Sequence, residues 1–212
     1  RVQKGQGTMR AFTFENATKI YFGGGCVKEH LLEAVKPYGE TVMLAYGGGS
    51  IKTNGIYQEV MDVLKLAGKQ VIEFSGIMPN PTYSKVMEGK KVVQENQVDL
   101  ILAVGGGSVM DCSKAISMAA AMDKDVWEEY WIKKGEIDFE PVPVGVIVTV
   151  VGTGSEVNGE GVITHEEQKI KTSRNYPRCN PVFAMMDPKY TYTVSPLQTA
   201  AGGFDMLSHV ME

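Results

Sequence analysis

Two residues near the end of the chain have the types and spacing to bind a metal ion. Asp205 and His209 stand four positions apart in the stretch AAGGFDMLSHVME. In a helix this spacing brings both side chains to one face, about one turn apart. A carboxylate and an imidazole can hold a divalent metal, but an acid near a helix start followed by an unrelated histidine fits the pair equally well. Two ligands alone do not make a catalytic site.

Three glycine-rich turns each follow a strand-like apolar run. GGGS occupies 47–50 and recurs at 105–108, and GTGSE occupies 152–156. Glycine lets the backbone approach a phosphate closely, and a helix after such a turn offers free N–H groups and the positive end of its dipole. Three successive glycines exceed what a turn between parallel strands requires. Phosphate or dinucleotide binding is therefore favoured over turn geometry alone.

The two standard nucleotide motifs are absent from these turns. When G-x-G-x-x-G is read from Gly47, Lys52 stands at the third glycine position, and when it is read from Gly105, Met110 stands there. Neither GGGS turn is followed by G-K-[ST], so the Walker pattern also fails. The sequence predicts a nucleotide cradle of a different kind.

The residues around the two GGGS turns allow further interpretations. Ser108 and Asp111 have the spacing of an S-x-x-D capping box, which could account for both residues structurally. Lys114 fits a solvated helix position and a phosphate counter-charge equally. Because the first turn carries no acidic residue and Lys52 is near, NADP(H) is favoured over NAD(H), whose ribose hydroxyl commonly meets a carboxylate.

The elements that must position these turns form repeated strand–helix units. Nearly continuous apolar runs alternate with amphipathic stretches, which predicts βαβ units and a mostly parallel sheet covered on both faces. Residues 161–173 are predicted to form a strand and a polar loop, and a last helix carries Asp205 and His209. The predicted strands are residues 11–15, 18–23, 41–46, 69–76, 98–104, 142–150 and 181–188, and the predicted helices 26–35, 57–68, 83–96 and 111–122.

Composition narrows the function classes. The 212 residues carry a net charge of −4, which indicates no broad nucleic-acid or anionic-membrane surface. No apolar run reaches the ~18 residues that a membrane span needs. Without a visible signal peptide or a CxxC pair, Cys26, Cys112 and Cys179 indicate a reducing, cytoplasmic setting. His30 and His165 are predicted to be surface residues.

Taken in order, the motifs resemble the iron-containing (group III) alcohol dehydrogenase family. Within it, the chain is most similar to the NADP(H)-dependent butanol dehydrogenase and aldehyde reductase branch. The ordered set covers almost the whole chain, although TVV precedes GTGSE where the family often has a PTTA-like run. The matching stretches are YGGGS (46–50), NPT (80–82), GGGSVMDCSK (105–114), GTGSE (152–156), PVFAMMDPKYTYTVSP (181–196) and GGFDMLSHVME (202–212).

The resemblance implies an α/β fold with a Rossmann-like parallel sheet flanked by helices, like the N-terminal domain of dehydroquinate-synthase-like proteins. This domain is expected over 9–196, the first helix of an all-helical metal-binding domain over 197–212, and an upstream or cloning remnant over 1–8. Asp205 and His209 match two of four metal ligands, with two histidines expected beyond Glu212. The implied cofactor contacts are Gly47, Gly48, Ser50, Gly106, Gly107, Ser108, Asp111, Thr149, Thr153, Ser155, Lys171 and Tyr190.

The resemblance also implies a reaction. A metal-dependent alcohol dehydrogenase or aldehyde reductase would transfer a hydride between NADP(H), or less readily NAD(H), and a small alcohol or aldehyde, with Fe, Zn or Ni as the metal. A homodimer or larger homo-oligomer is expected, with no nucleic-acid or membrane partner. Little or no turnover is expected from these residues alone. A non-catalytic nucleotide-binding module is the alternative, while YGGGS and DPKYTYTVSP argue against glycerol-type or dehydroquinate-synthase-like enzymes.

Overall fold

A six-stranded, all-parallel sheet forms the centre of the computed structural model, which describes residues 13 and 15–211. The strand order across the sheet is β1-β8-β5-β4-β2-β3, and β6 and β7 form a separate antiparallel hairpin. The strands are β1 (Lys19–Phe22), β2 (Thr41–Tyr46), β3 (Gln70–Phe74), β4 (Leu100–Gly105), β5 (Val144–Val148), β6 (Glu160–His165), β7 (Ile170–Asn175) and β8 (Phe183–Met186).

Helices cover both faces of the sheet. A short π-helical turn spans Trp127–Ile132, and single 3-10 turns span Ser155–Val157, Pro177–Cys179 and Pro188–Thr191. The α-helices are α1 (Cys26–Val35), α2 (Ser50–Thr53), α3 (Ile56–Leu66), α4 (Tyr83–Glu95), α5 (Gly107–Ala120) and α6 (Pro196–Met211). In the part of the chain that the structure describes, no helix combines the length and the apolar character needed to cross a bilayer.

The core has two layers because successive side chains of a strand point to opposite faces. On β2, Met43 packs with α4 and α5 on one face, while Val42 and Leu44 pack with α1 and α3 on the other. All of β4 and β5 is buried, as expected for central parallel strands. The predicted α/β architecture with a covered parallel sheet is confirmed.

The hairpin differs from the sequence prediction, and the predictions for the chain ends cannot be compared with the structure. The prediction of a polar loop after β6 is wrong, because residues 161–173 belong to two paired strands. Ile170–Asn175 pairs along its length with Glu160–His165. Four consecutive polar residues, 166–169, hold the turn, and the second strand is too polar to show as an apolar run. The predictions for 1–8, for most of the strand at 11–15 and for Glu212 lie outside the described residues.

Candidate functional site

The glycine turns lie together at the carboxyl ends of the parallel strands. From β2 the chain crosses to the outer strand β3 and then returns to β4 on the other side of β2. This reversal is a topological switch point, where open parallel sheets bind ligands beyond the carboxyl ends of the strands. The turns at 47–49 and 105–107 follow β2 and β4, and Thr149 follows β5 with its N–H 3.0 Å from the Gly105 carbonyl.

The first turn lines an open cleft. Its walls also include Tyr46, Lys52, Ser75 and Gly76. The Gly76 N–H donates to the Gly47 carbonyl at 3.0 Å, which joins the two loops. A Cβ on Gly47 would lie 3.2 Å from the Ile77 carbonyl, so the close backbone approach favours glycine. Gly48 and Ser50, also predicted to contact the cofactor, are exposed in the same loop.

A carboxylate stands at this cleft that the sequence prediction missed. Glu73, from the end of the neighbouring strand β3, accepts hydrogen bonds from Tyr46 (2.5 Å), Tyr57 (2.6 Å) and Lys52 (3.0 Å). The hydrogen bonds from Tyr46, Tyr57 and Lys52 lower the pKa of Glu73 to about 2. The first turn itself carries no acidic residue, as the prediction assumed, but strand pairing brings a carboxylate from more than twenty positions away to its side.

The second turn begins α5 but does not form the predicted capping box. The N-cap is Gly106, whose backbone is extended (φ −98°, ψ −167°), and no side chain caps the helix. Ser108 already lies inside the first helical turn of α5, so it cannot occupy the cap position. Asp111 faces away from the helix start, and its two oxygens accept from the Ser155 hydroxyl (2.6 Å) and the Val162 N–H (3.1 Å). The helix N-terminus at 106–108 consequently keeps unbonded N–H groups.

The third turn packs directly on the second. A Cβ on Gly107 would lie 2.8 Å from the Thr153 side chain, so this close approach favours glycine. Gly154 has a left-handed backbone (φ 65°), which turns the chain back toward α5. The Ser155 N–H lies 3.3 Å from the Thr153 hydroxyl. Thr149, Thr153 and Ser155 thus border the second turn, as the resemblance implied for one side of a cofactor site.

Lys114 is buried, so the interpretation of this residue as a solvated helix position is wrong. Only 1% of the residue is exposed. Its ammonium group donates to the Ser155 hydroxyl (2.7 Å), the Glu160 carbonyl (2.8 Å) and the Asn158 side chain (3.3 Å). Burial lowers the pKa of Lys114 to about 8, and the Asp111 carboxylate partly opposes that effect. Burial likewise raises the pKa of Asp111.

The two candidate metal ligands lie beside the third turn. Asp205 Oδ1 and His209 Nε2 are 3.7 Å apart on one face of α6, and each side chain is about half exposed (47% and 53%). A Cβ on Gly152 would lie 3.4 Å from Asp205 Oδ2, which places this carboxylate against GTGSE. Across residues 13 and 15–211, no group of three or more His, Cys, Asp or Glu side chains is arranged around a metal position. The pair therefore offers two ligands of N and O type.

Two of the predicted cofactor contacts lie away from the glycine turns. Lys171, on β7, bonds the Asn80 side chain at 2.5 Å in the NPT loop. Tyr190 is buried in the core that includes α1 and α3, and it lines a separate cleft with Asn54 and Glu59. Burial raises the pKa of its phenol. The structure brings the other ten predicted contacts to the glycine turns and the segments that pack on them.

The two remaining histidines differ in their surroundings. His165 is half-buried, stacked on Tyr83 and edge-on to Trp127, each with ring centroids 5.0 Å apart. His30 stacks on Tyr21 at 4.9 Å. The surface prediction is wrong for His165, because the β6–β7 hairpin folds onto the start of α4. A strand ending in histidine next to a polar turn carries no local sign of that packing.

Comparison with known proteins matches this arrangement to one family. Residues 17–188 match the family described as iron-containing alcohol dehydrogenase. The chain is 45% identical over 204 residues to the probable NADH-dependent butanol dehydrogenase 1 of Bacillus subtilis, covering 96% of this chain and 52% of that protein. It is 38% identical over 205 residues to the NADPH-dependent aldehyde reductase YqhD of Escherichia coli, with 96% and 52% covered.

The solved structures agree with the sequence relatives. The NADH-dependent butanol dehydrogenase A of Thermotoga maritima superposes with a TM-score of 0.90 at 38% identity, covering 96% of this chain and 51% of that one. The chain thus spans about half the length of the relatives that it matches. With the family match extending over most of its length, this chain belongs to the iron-containing alcohol dehydrogenase family.

Proposed function

We propose that this chain is the cofactor-binding portion of a metal-dependent alcohol dehydrogenase or aldehyde reductase that uses NAD(P)(H). One observation carries the proposal. Three glycine turns converge at the carboxyl ends of the parallel strands, and the Asp205–His209 pair stands beside the third turn. An extended dinucleotide laid across these turns would end next to the metal ligands. Related proteins named butanol dehydrogenase and aldehyde reductase support this assignment.

Each turn is suited to a different part of the cofactor. The cleft at Gly47, Gly48 and Ser50 would take the adenosine end. The pyrophosphate would lie on the uncapped start of α5 at 106–108, where N–H groups and the helix dipole favour anions. The nicotinamide would lie against the third turn. Thr149, Thr153 and Ser155 would then hold the ring in the orientation that hydride transfer requires.

Asp205 and His209 would hold the divalent metal. A carboxylate oxygen and an imidazole nitrogen suit Fe, Zn and Ni alike, so the two side chains fit the group without selecting one metal. When bound, such an ion acts as a Lewis acid on the oxygen of an alcohol or aldehyde. The chain's own part is to present both ligands from one rigid helix face, next to the nicotinamide side of the site.

Two finer points belong to the proposal. The preference for NADP(H) predicted from the sequence now depends on the Lys52–Glu73 pair, because the carboxylate offsets the positive charge that would attract a 2′-phosphate. We also expect self-association into a homodimer or larger assembly. Among the strands that the structure describes, β1 lies at one edge of the sheet and leaves Ile20 and Phe22 exposed (52% and 73%), which offers one surface for pairing.

Cofactor binding tests the proposal directly. NADH and NADPH would be titrated into the chain by calorimetry, with Gly48→Asp as the variant. A Cβ on Gly48 meets nothing within 4 Å, so the substitution places a carboxylate in the cleft without disturbing the packing. We expect at least roughly tenfold weaker binding, because the added charge repels the cofactor phosphates.

Gln70→Glu serves as the matched control. Gln70 is exposed at the start of β3, and the amino ends of parallel strands lie opposite the glycine turns. The substitution therefore adds the same charge away from the cleft. The control should bind as the wild type does. Absence of dinucleotide binding by the wild type, or equal loss in both variants, would contradict the proposed function.

A further inference from the structure

A buried lysine joins two of the glycine turns. Lys114 lies in the middle of α5, and all three of its acceptors belong to the segment 155–160. An ammonium group has three N–H donors, so this segment satisfies its full hydrogen-bonding capacity. Lysine is almost never fully buried unless it is paired, and a well-packed apolar side chain commonly stabilises a core at least as well. Core packing therefore does not account for the choice of lysine at this position.

Asp111 completes the connection from the same helix face. It stands three residues before Lys114, and its carboxylate accepts from the Ser155 hydroxyl. The Ser155 oxygen thus accepts from Lys114 and donates to Asp111, which fixes the orientation of the hydroxyl. The second carboxylate oxygen accepts from the Val162 N–H on β6. Two side chains of α5 consequently hold the third turn at Ser155 and the segment that follows it, up to Val162.

This connection matters because the turn is rich in glycine and partly exposed. Gly152 and Gly154 both have positive φ angles, and Val150, Val151 and Thr153 are exposed. A glycine-rich loop loses much conformational entropy when it is ordered. The charge-assisted bonds from Lys114 offset part of that cost.

We propose that Lys114 is a positioning residue for the nicotinamide half of the cofactor site. It would not touch the cofactor but would act through Ser155, holding the third turn at a constant distance from the uncapped start of α5. The pyrophosphate and nicotinamide parts of the site would thereby keep a common geometry. This proposal rests on the proposed function and adds to it a residue that lies behind the site.

The test compares Lys114→Met with the wild type in the full chain, using ADP as a probe of the adenosine–pyrophosphate half and NADH and NADPH as complete cofactors. We expect the affinity for ADP to change by less than about twofold, while that for NADH and NADPH falls roughly tenfold, as after loss of one charged hydrogen bond. Lys91→Met is the matched control, because Lys91 is an exposed lysine on α4 (74%).

A second readout does not need a cofactor. Hydrogen exchange measured by mass spectrometry should rise in the segment 150–160 of Lys114→Met and stay unchanged in β2 and β4. Asn158→Ala removes one acceptor without leaving a charge unpaired in the core, and it should show a smaller change in the same segment.

Several outcomes of the variant measurements would overturn the proposal. These are unchanged NADH and NADPH affinity in Lys114→Met, an equal loss of ADP and dinucleotide affinity, and faster exchange throughout the sheet. If the wild type binds ADP but gains nothing from the nicotinamide half, the positioning role also fails. If the wild type binds neither ADP nor NAD(P)H, the proposed function itself is contradicted, which separates the two cases.

Discussion

At the scale of single residues, the cleft beside the first turn is governed by charge. Lys52 is nearly half exposed and stands over the Tyr57 ring, 4.5 Å from its centroid, while its ammonium group bonds Glu73. Glu73 is ionised and held by two tyrosine hydroxyls, so its negative charge is fixed in place. A phosphate on the ribose 2′-oxygen would meet both charges. Discrimination between NADP(H) and NAD(H) should therefore respond to either residue.

Two substitutions test this balance in opposite directions. Glu73→Gln keeps the side-chain shape and removes the negative charge, and we expect the affinity for 2′,5′-ADP relative to 5′-ADP to rise roughly threefold to tenfold. Lys52→Met should lower the same ratio. Calorimetric titration with the two nucleotides measures both effects. A ratio that stays constant in both variants would place the 2′-position away from this pair.

At the scale of elements, α6 depends on glycine for its position. None of its residues is buried, and apolar side chains such as Leu197, Phe204 and Val210 are largely exposed. Its contact with the sheet domain runs through Gly202, where a Cβ would lie 2.7 Å from the Val151 carbonyl. The distance between Asp205 and the third turn therefore depends on the close backbone approaches at Gly202 and Gly152.

The neighbouring glycine provides a control for this contact. Gly202→Ala and Gly203→Ala both gain helix propensity, by about 1 kcal/mol, but only the first would meet the backbone, since a Cβ on Gly203 meets nothing within 4 Å. We expect faster amide exchange over 196–211 in Gly202→Ala and slower exchange in Gly203→Ala. Equal behaviour of the two variants would show that α6 is not docked through Gly202.

At the scale of the whole molecule, the buried lysine connects stability to pH. Lys114 has a pKa of about 8 in the folded chain against an ordinary value of 10.5, because burial disfavours the ammonium group. The charged groups around it are Asp111, Glu156 and Glu160, together with the Cys179 thiol. Between pH values of about 8 and 10.5, the unfolded chain binds more protons at this position than the folded chain. The free energy of unfolding contributed by Lys114 therefore rises with pH across this window.

Denaturant titrations of the wild type and Lys114→Met from pH 7 to pH 11 test that expectation. The unfolding free energy of the wild type relative to the variant should increase between about pH 8 and pH 10.5, by 1–3 kcal/mol as an order of magnitude, and remain constant above. Other lysines and tyrosines titrate in both proteins, so the difference isolates Lys114. A pH-independent difference would contradict a lowered pKa at this position.

The sequence by itself determined the parallel α/β fold and the places of the glycine turns. Both follow from local physics, because strand and helix periods are written in successive residues and a run of three glycines marks a special turn wherever it occurs. Even the order of the motifs sufficed to identify the family. The 3.7 Å pairing of Asp205 with His209 likewise agrees with their helical spacing.

Only the tertiary structure decided which distant residues complete the site. Glu73 reaches the first turn because β3 pairs with β2, with Leu44 opposite Glu73 in the register. Lys114 is buried because the segment 155–160 folds over α5, and the same contact removes Asp111 from the predicted cap. A lone acid at the end of one strand and a lysine among small helix residues carry no local mark of these roles, since desolvation and partner geometry arise only when separate segments pack together.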